Sequence, residues 1–419
     1  MINLEEEKEK VILVAVARPE DGDVTASLKE LESLVETDGA ICCGSIVQNR
    51  EDVHPGTYVG KGKIEEIRQL AEYYGANGIV CDDELSPAQL RNLSDVLALK
   101  ILDRTQIILD IFATRAVTSE GKLQVELAQL KYRQARLVGL GKSLSRQGGG
   151  IGSKGPGEKK LEMDRRLIKN RMAALRKELQ EVEKHRDLAR EQRGRTPIPQ
   201  VAIVGYTNAG KSTLLNTLTG AGVLSENRLF ATLDPTTRIL DLPDGSSVLL
   251  TDTVGFIRKL PHQLIEAFKS TLEEACYADI LIHVVDATSP EMAREMAVSY
   301  DLLSDLGAMG KPVITVFNKV DRLNNMPEGI KDGRADKKVF LSARYGGGLE
   351  GLFEALEDLI RELKTAFEGV FPYSVAGEIQ SIYKYGTVLE EEYREDGIFV
   401  KALLPREMAG RLCGICQKA

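Results

Sequence analysis

The segment Gly205-Tyr206-Thr207-Asn208-Ala209-Gly210-Lys211-Ser212, continued by Thr213, carries the pattern GxxxxGK[ST] between an apolar run, Val201 to Val204, and a helix-compatible run, Ser212 to Leu218. Glycines there let the backbone curl so that successive N–H groups point at phosphate oxygens, and a following helix adds the positive end of its dipole. The Lys211 ammonium suits β- and γ-phosphates, and the Ser212 hydroxyl suits magnesium. Downstream, Asp252-Thr253-Val254-Gly255 ends the apolar run Leu249-Leu250-Thr251. A carboxylate at that place can hold magnesium through water, and the Gly255 N–H can distinguish a triphosphate from a diphosphate. Asn318-Lys319-Val320-Asp321 follows the apolar run Val313 to Phe317. An aspartate there can accept from both guanine N1–H and the exocyclic amine; adenine offers neither donor, so guanine is selected. Ser342-Ala343-Arg344 follows Val339 to Leu341 and is expected to close over the base with backbone N–H groups. Each fragment stands at the C-terminal end of a strand, where open α/β sheets bind ligands. Together they imply GTP hydrolysis with Mg2+, with Lys211 and Gly255 among the catalytic groups.

Two positions refine that chemistry. A threonine must complete the magnesium shell, and Thr232, Thr236 and Thr237 all lie within Phe230 to Arg238; spacing does not choose among them. Many GTPases place a water-orienting glutamine directly after the DxxG glycine. Here that position is Phe256, which cannot hydrogen-bond to water, so slow intrinsic hydrolysis stimulated by a partner is expected.

The elements that must position these residues follow from periodicity. Strand-like runs alternate with helical ones from Gln200 to about Leu363, which predicts an α/β nucleotide-binding domain. A second alternation near the N-terminus (strands at Val11 to Val16, Ala40 to Val47 and Gly78 to Cys81; helices at Ser27 to Glu36, Ile64 to Tyr74 and Pro87 to Leu97) predicts a smaller α/β domain with a mainly parallel sheet. Between the two, Leu123, Leu127, Leu130 and Leu137, then Ile168, Met172, Leu175, Leu179 and Val182, form heptad seams of two long helices packed as a hairpin. The linking stretch Gly148 to Gly157 holds six glycines in ten residues and suits neither helix nor strand. The expected fold is therefore multidomain α/β: an N-terminal α/β domain (1–118), a basic helical hairpin (119–195), a P-loop GTPase domain (196–365) and a small C-terminal α+β domain (366–419).

Composition bounds the remaining choices. The 419 residues are 43% hydrophobic and 28% charged, ordinary globular usage, which excludes wholesale disorder. No signal peptide and no run long enough to span a membrane is visible, so a cytoplasmic protein, at most peripheral at a membrane and without stable insertion, is expected, acting as a monomer. Cys413 and Cys416 form one CxxC pair without two further ligands nearby, and His283 lies within an apolar strand; both read as packing residues rather than metal ligands. The net charge of -8 argues, by itself, against nucleic acid. Its distribution does not. From Lys122 to Arg195 there are 20 Lys and Arg against 9 Asp and Glu, a net of +11, which leaves −19 for the rest of the chain. A solvated coiled-coil face usually mixes signs near balance, so this excess predicts contact with RNA, with Lys142, Arg146, Lys154, Lys159 and Lys160 flanking the glycine-rich stretch.

These motifs, with Phe230-Ala231-Thr232-Leu233-Asp234 and Asp252-Thr253-Val254-Gly255-Phe256, resemble those of the HflX family of translation-factor-related GTPases. The resemblance extends to His54-Pro-Gly-Thr-Tyr-Val-Gly-Lys-Gly-Lys63, to Leu102-Asp-Arg-Thr-Gln-Ile-Ile-Leu-Asp-Ile-Phe112, to Gly148–Glu158 and to Asp164-Arg165-Arg166, and so covers about Val11 to Leu363. Ser153-Lys154 and Lys159-Lys160 depart from the family's usual pattern but keep or add positive charge. The resemblance implies that Thr232 is the magnesium-binding switch threonine, with Phe230 to Asp234 around the nucleotide. It further implies binding to the ribosome, chiefly its large subunit and RNA, through the hairpin, with splitting or rescue of stalled ribosomes. The competing reading is a signalling or membrane-associated GTPase whose hairpin binds a protein effector; a P-loop scaffold without turnover is a third.

Overall fold

The computed structural model describes residues 8–416 except 20–21, 23, 145–155, 195–197, 221–228, 231–232, 262–263, 265–268 and 324–330. The glycine-rich stretch 148–157, apart from its last two residues, and Ala231 and Thr232 therefore lie outside the described residues. The chain divides into two compact units.

The first unit comprises residues 1–182 together with 226–234 and 257–270. Strands β1 (Lys10–Ala17), β2 (Ile41–Asn49), β3 (Gly78–Cys81) and β4 (Lys100–Asp103) form a wholly parallel sheet in the order β2-β1-β3-β4. Near-continuous apolar sequence such as Val11-Ile-Leu-Val-Ala-Val forms β1 because both faces are covered by helices, and all six side chains are buried. The covering helices are α1 (Val24–Thr37), α2 (Lys61–Tyr74), α3 (Pro87–Leu97) and α4 (Arg104–Arg115). Ser86 starts α3 with a reciprocal capping box to Gln89, and Asp103 caps α4 through the Gln106 N–H. Two long helices follow, α5 (Ser119–Leu144) and α6 (Pro156–Gly194), the latter counted in the second unit from Glu183 onward. Leu127, Met172, Leu175 and Leu179 form their shared apolar seam, flanked by Leu123, Leu130 and Ile168, as the heptad spacing predicts. Arg171 pairs with Glu126 and Arg165 donates to the Leu137 carbonyl across the same seam.

The second unit holds a six-stranded sheet: β5 (Gln200–Gly205), β6 (Thr236–Asp241), β7 (Ser247–Asp252), β8 (Ile280–Asp286), β9 (Val313–Asn318) and β10 (Lys337–Phe340), in the order β10-β9-β8-β5-β7-β6. All neighbours are parallel except β6, which pairs antiparallel with β7. The sequence reading lacks β6, since Thr236-Thr-Arg-Ile-Leu-Asp is an edge strand with only Leu240 buried and carries no apolar run. Helices α7 (Lys211–Thr219), α8 (Lys269–Tyr277), α9 (Met292–Asp305) and α10 (Leu349–Leu363) flank this sheet. Beyond it, β11 (Lys364–Phe371), β12 (Thr387–Arg394) and β13 (Gly397–Pro405) form an antiparallel sheet in the order β11-β13-β12, with α11 (Ile379–Tyr385) and α12 (Arg406–Cys413) on its core. These elements make the small C-terminal α+β segment expected from sequence, within the second unit. Cys416 packs against its core while Cys413 is exposed, and no metal-binding group of His, Cys, Asp and Glu exists among the described residues. No described helix is long and apolar enough to cross a membrane.

Candidate active site

The second unit gathers four of the sequence fragments at the C-terminal edge of its parallel strands. The turn after β5 is built on Gly210, whose φ of 103° lies in the region that favours glycine; an added Cβ would stand 2.2 Å from Asn318 Nδ2. That crowding shows how tightly the loop is closed. Asn318 holds it by donating Nδ2–H to the Ala209 carbonyl (2.8 Å) while its Oδ1 accepts from the Ala343 N–H (2.9 Å). Lys319 adds a second brace, donating to the Asn208 carbonyl at 2.7 Å and to Asp286 Oδ2 at 2.6 Å. Asp286, the last residue of β8, was not singled out from sequence; its position at a strand end is the one signal that could have found it.

Lys211 opens α7 and is fully buried, donating Nζ to the carbonyls of Gly205 (3.1 Å) and Tyr206 (2.8 Å). Burial pushes its pKa down to about 8, with the Asp252 carboxylate opposing that shift and Lys319 adding to it. Ser212 donates its hydroxyl to Asp252 Oδ2 at 2.7 Å. Asp252 itself is entirely buried at the end of β7. A hydroxyl and a carboxylate in direct contact at the start of α7 are a hard-oxygen donor set, and they fit Mg2+. Thr253 donates Oγ1–H to the Ile203 carbonyl, and Val254 is buried. Gly255 sits against the loop: a Cβ there would meet Thr207 Cγ2 at 2.7 Å and Lys211 Nζ at 3.0 Å. No larger residue fits between them. Phe256 then bridges to the loop, donating its N–H to the Gly205 carbonyl (3.0 Å) and accepting from the Thr207 N–H (2.7 Å), with its ring 1% exposed.

On the base side, Asp321 Oδ1 accepts from the Ser342 hydroxyl at 2.5 Å, and the Ser342 N–H is donated to the Gly347 carbonyl. Val320 and Asp321 lie in a short 3-10 turn after β9, and Arg344 is exposed beside Tyr345. Gly205 to Thr213, Asp252 to Phe256, Asn318 to Asp321 and Ser342 to Arg344 thus form one cluster. Phe230, Leu233 and Asp234 are counted in the first unit, where Phe230 and Leu233 are buried and the Asp234 carboxylate is hydrogen-bonded to Val117 and Thr118. His283 is buried in β8 with its ring edge-on to Tyr300, the packing role expected for it.

Comparison with known proteins covers nearly the whole chain. Three family profiles match in succession: one described as GTP-binding GTPase N-terminal over residues 25–113, one as GTP-binding GTPase middle region over 115–193, and one as 50S ribosome-binding GTPase over 200–319. GTPase HflX of Lacrimispora saccharolytica is 59% identical across 98% of this chain and 97% of its own length. The protein of the same name from Caldanaerobacter subterraneus subsp. tengcongensis is 52% identical across 98% and 95%. That of Escherichia coli is 42% identical across 97% and 96%. With a P-loop, a DxxG turn and an NKxD turn meeting at one sheet edge and this similarity from end to end, the chain belongs to the HflX family of GTPases.

Proposed function

We propose that the protein is a GTP-gated factor that binds the large ribosomal subunit through its hairpin and splits or rescues ribosomes, with hydrolysis stimulated by the ribosome. The observation that carries this reading is the charge of the hairpin. The apolar seam of α5 and α6 turns inward, so that Arg166, Lys169, Arg176 and Lys177 are exposed, on a segment of net +11 in a chain otherwise at −19. A net positive charge gathered on one segment favours a single docking orientation on a polyanion over indiscriminate adhesion.

In this reading the backbone N–H groups of Gly205 to Thr213 receive the phosphates, and Lys211 trades its two carbonyl acceptors for β- and γ-phosphate oxygens. The phosphates also restore full charge to an ammonium that burial depresses. Ser212 and Thr232 would hold Mg2+, with the Asp252 carboxylate beside Ser212; bound there, the ion would supply positive charge against the phosphoryl group being transferred. The Gly255 N–H senses the γ-phosphate, which no side chain obstructs. Asp321 accepts from guanine, and Asn318 and Lys319 keep the base-binding turn fixed to the phosphate loop. Phe256 supplies no polar group to the attacking water, so the ribosome must do so or reshape the turn.

Two measurements test this. GTP hydrolysis is followed with and without purified ribosomal subunits, and sedimentation with ribosomes in a non-hydrolysable GTP analogue is compared for the native chain and a variant lacking residues 148–157. Stimulation by the large subunit, and loss of sedimentation in the deletion, are expected. Unchanged binding and splitting by the deletion variant would refute the hairpin's role. Binding should also weaken steeply with salt, which separates RNA from a protein effector.

A further inference from the structure

Six non-glycine residues hold a left-handed backbone among the described residues: Tyr58, Ala98, Asn208, Phe230, Lys259 and Lys319. Asn208 and Lys319 brace the nucleotide loop, and Ala98 ends α3. Phe230 (φ 55°) and Lys259 (φ 51°) lie in neither place. They stand in residues 226–234 and 257–270, the segments around the switch threonine and just past the DxxG turn, and both segments belong to the compact unit of the N-terminal sheet. Bulky residues persist in this conformation only where surrounding contacts over-determine it.

Those contacts are specific. The Phe230 ring, 2% exposed, meets Phe112 of α4 edge-on at 4.6 Å. Four residues on, Asp234 Oδ2 accepts from the N–H groups of Val117 (3.0 Å) and Thr118 (2.9 Å), and its Oδ1 accepts from the Thr118 hydroxyl. Val117 and Thr118 immediately precede α5, so a switch carboxylate sits at the positive end of the hairpin's first helix. Lys259 Nζ lies 2.6 Å from Asp82 Oδ2 and 2.7 Å from Asp83 Oδ1. Asp82 is buried and is also held by Arg104 (2.7 Å) and Ser27 (2.8 Å), and Asp83 accepts from the Tyr58 hydroxyl (2.6 Å). Both acids follow β3, beside the point where the order β2-β1-β3-β4 reverses direction, the place where open α/β sheets bind ligands. Here the Lys259 ammonium occupies it.

We propose that Phe230, Asp234 and Lys259 are positioning residues of the GTPase cycle, which fasten both switch segments to the N-terminal domain and to the root of the hairpin. The proposal rests on the reading of the protein as a GTP-gated, hairpin-docking factor and adds how the gate is transmitted. Lys259 is four residues from Gly255, and Asp234 two from Thr232, so a switch that moves with the γ-phosphate must break or re-form these contacts. Breaking the Asp234 contact removes an anion from the start of α5. Each contact also holds a switch segment in place, and its loss is expected to let nucleotide leave faster.

The test uses the full-length protein without ribosomes and reads the release rate of a fluorescent GDP by stopped flow, with thermal unfolding in parallel. Lys259→Gln removes the cation, and Gly121→Ala places a Cβ 2.6 Å from Asp234 Oδ1, forcing that carboxylate from its seat without touching the nucleotide loop. Each is expected to speed GDP release roughly tenfold, the loss of one hydrogen bond to a charged group. Lys259→Arg keeps a cation between two carboxylates and is expected to release GDP at close to the native rate. Release unchanged in both Lys259→Gln and Gly121→Ala, or as fast in Lys259→Arg as in Lys259→Gln, overturns the proposal. Should Lys259→Gln fail to fold, Gly121→Ala decides. Native sedimentation with ribosomes is scored separately: its loss would end the ribosome reading while leaving the release rates interpretable.

Discussion

Replacing Phe256 by glutamine asks directly what the DxxG turn can do. In GTPases that carry a glutamine at this position, the amide orients the attacking water; a productive polar group in such a role contributes on the order of 10²–10⁴-fold. The structure argues that Phe256→Gln gains none of this. The backbone of residue 256 is tied on both sides, N–H to the Gly205 carbonyl and carbonyl to the Thr207 N–H, and the side chain is 1% exposed. A glutamine on that backbone points into the core. It forfeits about 2 kcal/mol of aromatic burial and buries an amide that finds no ready partner, at about 1–3 kcal/mol more. We therefore expect a loss of about 3–5 kcal/mol in stability and no acceleration. Single-turnover hydrolysis of radiolabelled GTP measures the rate, and urea denaturation followed by circular dichroism measures the stability. A variant that hydrolyses GTP on the order of 10²-fold faster with an unshifted denaturation midpoint would show that residue 256 reaches the γ-phosphate water, and the reasoning would fail.

Two further outcomes follow from buried and base-side groups. Burial pushes the His283 pKa down to about 4, with Asp332 opposing and Lys211 reinforcing the shift, so the folded protein resists a proton that the unfolded chain accepts at about 6.5. Stability from neutral His283 is thus full above about pH 6.5 and falls by about 3 kcal/mol toward pH 4; His283→Phe should flatten that part of a pH series of denaturation midpoints. Asp321→Asn replaces an acceptor by a group that presents a donor to guanine, and GTP affinity should fall by about 10²-fold or more while a fluorescent xanthine nucleotide, whose base offers a carbonyl where guanine has an amine, binds better than to the native protein; equal affinities for both bases in native and variant would place base recognition elsewhere.

Much of the fold is legible because its signals are local. Val11 to Val16 reads as a buried strand from its own composition, the leucines of α5 and the Ile168–Val182 series declare a seam by spacing alone, and GxxxxGK[ST] carries its phosphate chemistry within eight residues. The same locality explains the phosphate, DxxG and NKxD turns, since each needs only a strand end and a short polar sequence. Strand β6 escapes because an edge strand with one buried residue leaves no apolar pattern to read.

The sequence by itself determined the motifs: a P-loop, a DxxG turn ending at Gly255, phenylalanine at 256 where many GTPases carry glutamine, an NKxD turn, and positive charge gathered on one hairpin. Tertiary structure alone decided how those parts are held. Asp286 braces Lys319 from 33 residues away, the Phe256 ring is turned into the core by backbone bonds to another loop, and Lys259 reaches Asp82 across 177 positions of chain. No periodicity encodes such pairings. They arise because packed sheets bring strand ends together, and an ammonium or carboxylate left near its opposite in a half-buried place gains more from that neighbour than from water.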